Sequence, residues 1–327
     1  MSIQANFRSA TMDKCSHSEK ADYISGCLEL AILYEVSGYP KPGNVHRTAD
    51  FKETTFAHYL ASAVATAPSF RRAAEQGIRV SKEEIEPSEI GIGYIIKDAV
   101  ECMLTKQNGG NTLLGAIILL APIATAAGMS QDRFSLSKLR EHIKVVVEST
   151  TPEDAVEVYD AIALVNPGGL NHSKELDVTD PTSKTKILKE HITLLDTFKI
   201  ASSYDSITSE WVNNFPITFD LGYPYLIKQL EETGDINTAT VHTFMKILAE
   251  VPDTFISRKL GQAKAESISA EAQKILEEGG LTTQHGRNLL LKLDNELRDK
   301  KHDLSPGTTA DITEAVLALN NLTGYKP

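Results

Sequence analysis

The feature that most constrains this chain is an uncharged stretch from Gln107 to Gln131, within which Leu113 to Met129 is almost wholly apolar or small. Crossing a bilayer takes ~20 predominantly apolar residues, so this run is borderline as a membrane span. It holds Gly115, Pro122 and Thr125, and Asn108 and Asn111 stand at its start. A helix that is apolar all round, with such interruptions, reads as the centre of a helical protein, surrounded by other helices. The expectation is therefore a buried helix over 111–128, and no membrane association.

A core able to enclose such a helix needs chain on every side. The 327 residues supply it, as one large domain or two of average size. Helical periodicity dominates. Helices are expected near 19–37, 53–77, 88–106, 111–128, 136–148, 152–165, 184–202, 204–214, 217–233, 236–251, 254–263, 268–279, 283–301 and 308–322. Thr151-Pro152-Glu153-Asp154 reads as an N-cap, a proline at the first helical position, then acids at the positive end of the dipole. The segments IKQLEETG and AQKILEEGG end on glycine, as left-handed C-caps do. KVVVEST is β-branched, but it continues the helical pattern of SLSKLREHI. There is no βαβ alternation and no repeat at a fixed period. The expected fold class is all-α: a flexible segment over 1–18, then a single multi-helix domain over 19–327 around a buried central helix.

Charge narrows the function classes. There are 44 acidic against 33 basic side chains, a formal charge of −11. A protein that grips nucleic acid needs surplus Lys and Arg, so no nucleic-acid partner is expected. Cys15, Cys27 and Cys102 form no CxxC pair, which argues against a disulfide framework or a structural zinc. The polar N-terminus lacks an apolar signal core, and a cytoplasmic location is expected.

Three loops concentrate Gly, Pro and polar groups between helices. The first runs from Glu35 through Pro40-Lys41-Pro42-Gly43-Asn44 to His46, Arg47 and Asp50. Lys41 and Arg47 have the chemistry to hold phosphate oxygens; Glu35 and Asp50 suit a hard cation or a general base. A well-capped helix exit with solvated charges explains the same residues about equally well. The second loop, Asn108-Gly109-Gly110-Asn111-Thr112, opens the apolar helix and either offers backbone N–H groups to an anion or simply caps the helix. The third runs from His302 through Ser305-Pro306-Gly307-Thr308 to Asp311. Its spacing favours a capping box of Thr308 with Asp311 over an anion cradle. Asp253-Thr254, followed by Arg258, starts another helix, where Asp253 is readable as an N-cap. Phe219 to Pro224 carries a Gly–Pro break of the kind that kinks a helix near a pocket. No HExxH, GxSxG or Walker pattern occurs.

In this order the loops resemble the triphosphoribosyl-dephospho-CoA synthase family, as a divergent, archaeal-type member. The residues that carry the resemblance are Pro40-Lys41-Pro42-Gly43, Asn111-Thr112 with Gly115, Gly168-Gly169, Asp253-Thr254 with Arg258, and Ser305-Pro306-Gly307 with Ala310-Asp311. Together they span roughly residues 24 to 322. There are departures. Leu113-Leu114 stand where the family has His-Lys in NTHKG, His46 to Phe51 only approximate its GAHxDMD, and SPGGSAD has become SPGTTAD.

The resemblance implies transfer of a triphosphoribosyl group from ATP to a ribose hydroxyl of 3′-dephospho-CoA. Adenine is released and a prosthetic-group precursor results. An α-ribosidic product from a β-N-glycoside means inversion at the anomeric carbon, hence a single in-line displacement with oxocarbenium character. The assignment that follows makes Asp50 the base or cation stabiliser, with His46 nearby. Substrate would be held by Lys41, Gly43, Arg47, Asn111, Thr112, Arg258, Ser305, Gly307 and Thr308. Glu35, Asp253 and Asp311 would hold Mg²⁺. The partners are small-molecule nucleotides, and a homodimer is compatible with the sequence. Two alternatives stay open: related ribosyl transfer to another acceptor, as in methanopterin-type coenzyme biosynthesis, and a non-catalytic nucleotide-binding protein.

Overall fold

The computed structural model describes residues 16–130, 134–166, 175–298 and 302–327. Most of the expected flexible N-terminal segment, together with Cys15 and Gly168-Gly169, lies outside the described residues. Among those described, fifteen α-helices form the fold and no sheet is present, so the all-α expectation holds.

The apolar run becomes helix α4 (Leu114–Met129), in which every residue from Ala116 to Gly128 is buried. Helices α1 (His17–Ser37), α2 (Phe56–Ser81) and α3 (Ile92–Lys106) pack with α4 in the main apolar core. So do α5 (Leu136–Glu148), α6 (Pro152–Val165) and α15 (Gly307–Leu322). No helix of the described residues is long and apolar enough to cross a membrane. The uncharged stretch is thus a core element. Two glycines let α2 and α4 cross closely. A Cβ on Gly77 would lie 1.9 Å from the Thr125 carbonyl oxygen, and one on Gly128 would lie 2.1 Å from that of Ala74.

Local chemistry sets the ends of the helices. The Thr151 hydroxyl accepts from Asp154 N–H while the Asp154 carboxylate accepts from Thr151 N–H, closing the capping box that the sequence indicates. Gly234 ends α10 (Tyr223–Thr233) in the left-handed conformation, at φ 65°. The segment 184–202, expected as one helix, is two: α7 (Pro181–Glu190) and α8 (Leu194–Ala201). The break follows from His191 taking φ 54° and from Thr193, which forms a second capping box with Asp196. Helix α9 (Ser206–Val212) follows, and the Gly–Pro break gives one π-helical turn, Ile217–Gly222, ahead of α10.

Helix α11 (Ile236–Glu250) has two apolar faces. Ala239 and Ile247 join the main core, whereas Val241, Phe244, Met245 and Leu248 belong to a second, smaller cluster. That cluster is completed by α12 (Thr254–Leu260), α13 (Gln262–Glu277) and α14 (Gln284–Leu297). The proline-glycine loop after α1 is fastened to this second group. Gly43 N–H donates to Asp294 Oδ1 at 3.0 Å, His46 Nε2 lies 3.1 Å from Asp294 Oδ2, and Arg298 pairs with Asp294 at 2.9 Å.

Replacing Gly77 with leucine forces α2 from α4 along their closest contact. A loss of about 3 kcal/mol or more in urea unfolding is expected, against no loss for Gly26→Ala on the exposed face of α1, where a Cβ meets nothing within 4 Å.

Candidate functional site

A cavity of about 390 Å³ opens where the three polar loops meet the N-terminus of α4 and one face of α15. Nine of the fourteen candidate residues line it: Glu35, Lys41, Asn111, Thr112, Arg258, Ser305, Gly307, Thr308 and Asp311. The loops are far apart in sequence, and the cavity is where they converge.

The floor is acidic. Asp311 Oδ1 accepts the Ala116 N–H at 3.0 Å, so a half-buried carboxylate occupies the positive end of the apolar helix. The capping box expected between Thr308 and Asp311 therefore does not form. Asp311 reaches across to α4, and Thr308 receives a hydrogen bond from Thr254 at 3.2 Å. Gly115 permits this geometry, since a Cβ there would lie 2.1 Å from Asp311 Oδ2. One helical turn beyond Asp311, Glu314 also faces the cavity. It is 2% exposed, and its Oε2 has no hydrogen-bond partner. Glu35 completes the group and is paired with Lys41, both side chains being 1% exposed.

Burial dominates the titration of all three acids. It holds Asp311 well above the usual carboxylate range, against the Ala116 hydrogen bond and with added repulsion from Glu35 and Asp253. It does the same to Glu314, with repulsion from Glu35 and Asp311 added and Lys41 opposing. Glu35 is raised as well, because burial outweighs the nearby Lys41 ammonium. Burial also pushes the Tyr59 phenol upward, with smaller contributions from the same three carboxylates.

The lining also carries the apolar Ile118, Ile162, Phe198, Ile200 and Ile207, together with Glu175 and Asp177. Arg258 is ion-paired with Asp205, both on the lining, and the Asp205 carboxylate also caps α9 by accepting Thr208 N–H at 3.0 Å. Lys41 and Arg258 are thus each matched by an acid.

Five candidates are not on the lining. Asp50 is exposed and accepts Phe56 N–H at 2.7 Å at the start of α2. His46 is buried between Asp294 and Thr48, whose hydroxyl is 3.1 Å from Nδ1. Arg47 is exposed and stacks on Tyr39, 5.6 Å from the ring centre. Gly43 serves the loop through Asp294. Asp253 caps α12 through Phe255 and Ile256 N–H, and its second oxygen takes the Thr309 N–H and hydroxyl, each at 2.8 Å. Among the described residues, no group of three or more His, Cys, Asp or Glu is placed to form a metal cage. The trio Glu35, Asp253 and Asp311 accordingly does not assemble as one ligand set.

Sequence reasoning missed Glu314, Asp205, Tyr59 and Asp294. Glu314 left a signal: it stands three residues after Asp311, on the same face of a helix that is otherwise apolar around it. Asp205 reads as an ordinary N-cap. Asp294 looks like one more charge on an amphipathic helix until its loop partners are placed.

Residues 21–327 match the model of the family described as CitG: ATP:dephospho-CoA triphosphoribosyl transferase. The chain is similar to protein CitXG of Leuconostoc mesenteroides subsp. cremoris, 26% identical over 299 residues. That match covers 90% of this chain and 57% of that one, so the chain spans little more than half of that relative. It is also similar to the 2-(5″-triphosphoribosyl)-3′-dephosphocoenzyme-A synthase of Klebsiella pneumoniae. There the identity is 24% over 297 residues, covering 89% of this chain and 88% of the relative. A crystal structure from Archaeoglobus fulgidus, described as a triphosphoribosyl-dephospho-CoA synthase, superposes with a TM-score of 0.60 at 24% identity. It covers 82% of this chain and 100% of its own, and supports the fold.

The raised acids give a pH-dependent stability with a defined sign. The folded state keeps protons on Asp311 and Glu314 that the unfolded chain releases near the ordinary values of 3.8 and 4.5. Their contribution is therefore fully present below that range and is lost as pH rises through the raised values. Glu314→Gln should be more stable than the unsubstituted protein at pH 8, by about 1 kcal/mol or more, with the difference shrinking toward pH 4. Urea midpoints at the two pH values measure it, and a variant that is less stable at pH 8 contradicts the reading.

Proposed function

We propose a reaction from the premise that this chain belongs to the ATP:dephospho-CoA triphosphoribosyl transferase family: it moves the triphosphoribosyl group of ATP to a ribose hydroxyl of 3′-dephospho-CoA. The observation that carries the reading is the cavity, which brings apolar side chains suited to a purine together with acids suited to the positive charge that would develop on the ribose.

The bond between N9 of adenine and C1′ breaks, its electron pair leaving with the base. The acceptor oxygen bonds to C1′ and loses its proton, and adenine gains one, so the step is balanced. Asp311 and Glu314 share one helical face, both held above their usual range, and such a pair can take the hydroxyl proton and return one to the leaving base. Ionised, either stabilises the oxocarbenium-like transition state. Asn111, Thr112, Ser305 and Thr308 supply hydrogen bonds to ribose and phosphate oxygens, and Lys41 and Arg258 supply positive charge. The base assigned to Asp50 by resemblance passes to this pair, because Asp50 caps α2 outside the cavity. His46 and Gly43 set the loop that carries Lys41.

A triphosphate meeting this floor needs a cation. The unpartnered Glu314 oxygen beside Asp311 and Glu35 fits Mg²⁺, which keeps much of its water and takes one or two carboxylates plus substrate phosphate oxygens. When bound, the ion supplies charge neutralisation for the triphosphate. The product is a prosthetic-group precursor, in keeping with a cytoplasmic enzyme acting on small nucleotides.

Purified protein given ATP, dephospho-CoA and Mg²⁺ is expected to release adenine, detectable by chromatography, and to stop when the metal is chelated. Asp311→Asn should lower kcat about 100-fold or more, whereas Asp50→Asn stays within about threefold. Adenine release with full activity in Asp311→Asn removes the assignment. No release with any acceptor removes the transferase reading.

A further inference from the structure

A second, more open groove of about 690 Å³ lies against the cavity and shares Tyr204, Asp205 and Arg258 with it. The ion pair of Asp205 with Arg258 is thus a dividing wall with one face in each space. Among the described residues these two are the only charged side chains lining the groove, and they cancel. Much of the remaining wall is hydroxyl and amide: Ser206, Ser209, Thr254 and Ser257, with Gln262. Ser257 donates to Gln262 Oε1 at 3.1 Å, which sets these two groups side by side at the rim.

Size favours a second space for the acceptor. The inner cavity, at about 390 Å³, is near the lower end of the ~300–1,000 Å³ usual for small-molecule sites. It takes one nucleotide and the reacting ribose, not two whole substrates. The acceptor of the transfer is long: a nucleoside, a diphosphate, then an uncharged arm with two amides. Only its ribose has to reach the acids. Hydroxyl groups both donate and accept, so a wall of them matches amides without needing charge. A triphosphate in the groove would require surplus positive charge, and the wall has none.

We propose that this outer groove is the subsite for the amide-bearing arm of the acceptor. The inference rests on the transferase reading and adds the direction in which the acceptor lies. Two variants test it. Ser257→Trp fills the groove, and Gln262→Ala, at an exposed position, removes an amide partner without crowding. Each is first checked for an unchanged melting temperature. Ser257→Trp should raise KM for dephospho-CoA at least tenfold and leave KM for ATP within twofold; Gln262→Ala should raise the former about threefold. Phosphopantetheine, the arm alone, should inhibit the unsubstituted enzyme competitively against dephospho-CoA and lose that effect in Ser257→Trp. An unmoved acceptor KM in both variants, an equal rise in KM for ATP, or no inhibition by phosphopantetheine overturns the subsite while the transferase stands. An unsubstituted enzyme that does not use dephospho-CoA overturns both.

Discussion

The hydrogen bond from the Ala116 amide to the Asp311 carboxylate joins the two halves of the structure: the apolar core and the acidic cavity. Helix α4 must begin somewhere, and its first amides need acceptors that the helix itself cannot provide. Asn111 takes the Leu114 amide at 3.1 Å, and Asp311, from the far end of the chain, takes the Ala116 amide. A carboxylate at that point is favoured by the dipole and penalised by burial, and burial prevails. The result is an acid held well above the usual carboxylate range on the cavity lining. Gly115 is required because Asp311 lies where its side chain would be.

Around this contact the protein gathers more negative charge than stability alone would favour. Glu314 is buried with an oxygen unmatched, and Glu35 is buried with Lys41 as its counterion. Removing one partner of such a buried pair leaves an uncompensated charge, at a cost of roughly 3–5 kcal/mol. On the proposed function these charges serve chemistry at the expense of stability. The excess of 44 acids over 33 bases, which first excludes a nucleic-acid grip, acquires a local meaning here. On the proposed function, part of that excess lies where a polyanionic substrate would come, and a cation would reconcile the two.

Much of the fold was legible because α4 is apolar on every face and the helices flanking it carry caps that name their own ends. The ranges 136–148 and 152–165 coincide with α5 and α6, and the one merged helix, 184–202, failed because Thr193 and Asp196 form a cap inside an otherwise periodic run. The site was half legible. Loops rich in Gly, Pro and polar groups marked the cavity, and eight of the nine candidates that line it belong to them. Spacing could not show which carboxylates turn inward. Asp50 and Asp253 are spent on amides at helix starts, while Asp311, read as a local cap, crosses to another helix 195 residues away. Glu314 needed the packing of α15 before its isolation was visible.

The account makes nucleotide binding depend on charge compensation inside this cavity. Calorimetric titration of ATP into the protein, with and without Mg²⁺, at pH 8 and constant ionic strength, tests that dependence most directly. Affinity should be at least 100-fold higher with the metal, and Glu314→Gln should weaken the metal's effect, since one repelling charge is gone. Equal affinity with and without Mg²⁺, unchanged in Glu314→Gln, would contradict the account.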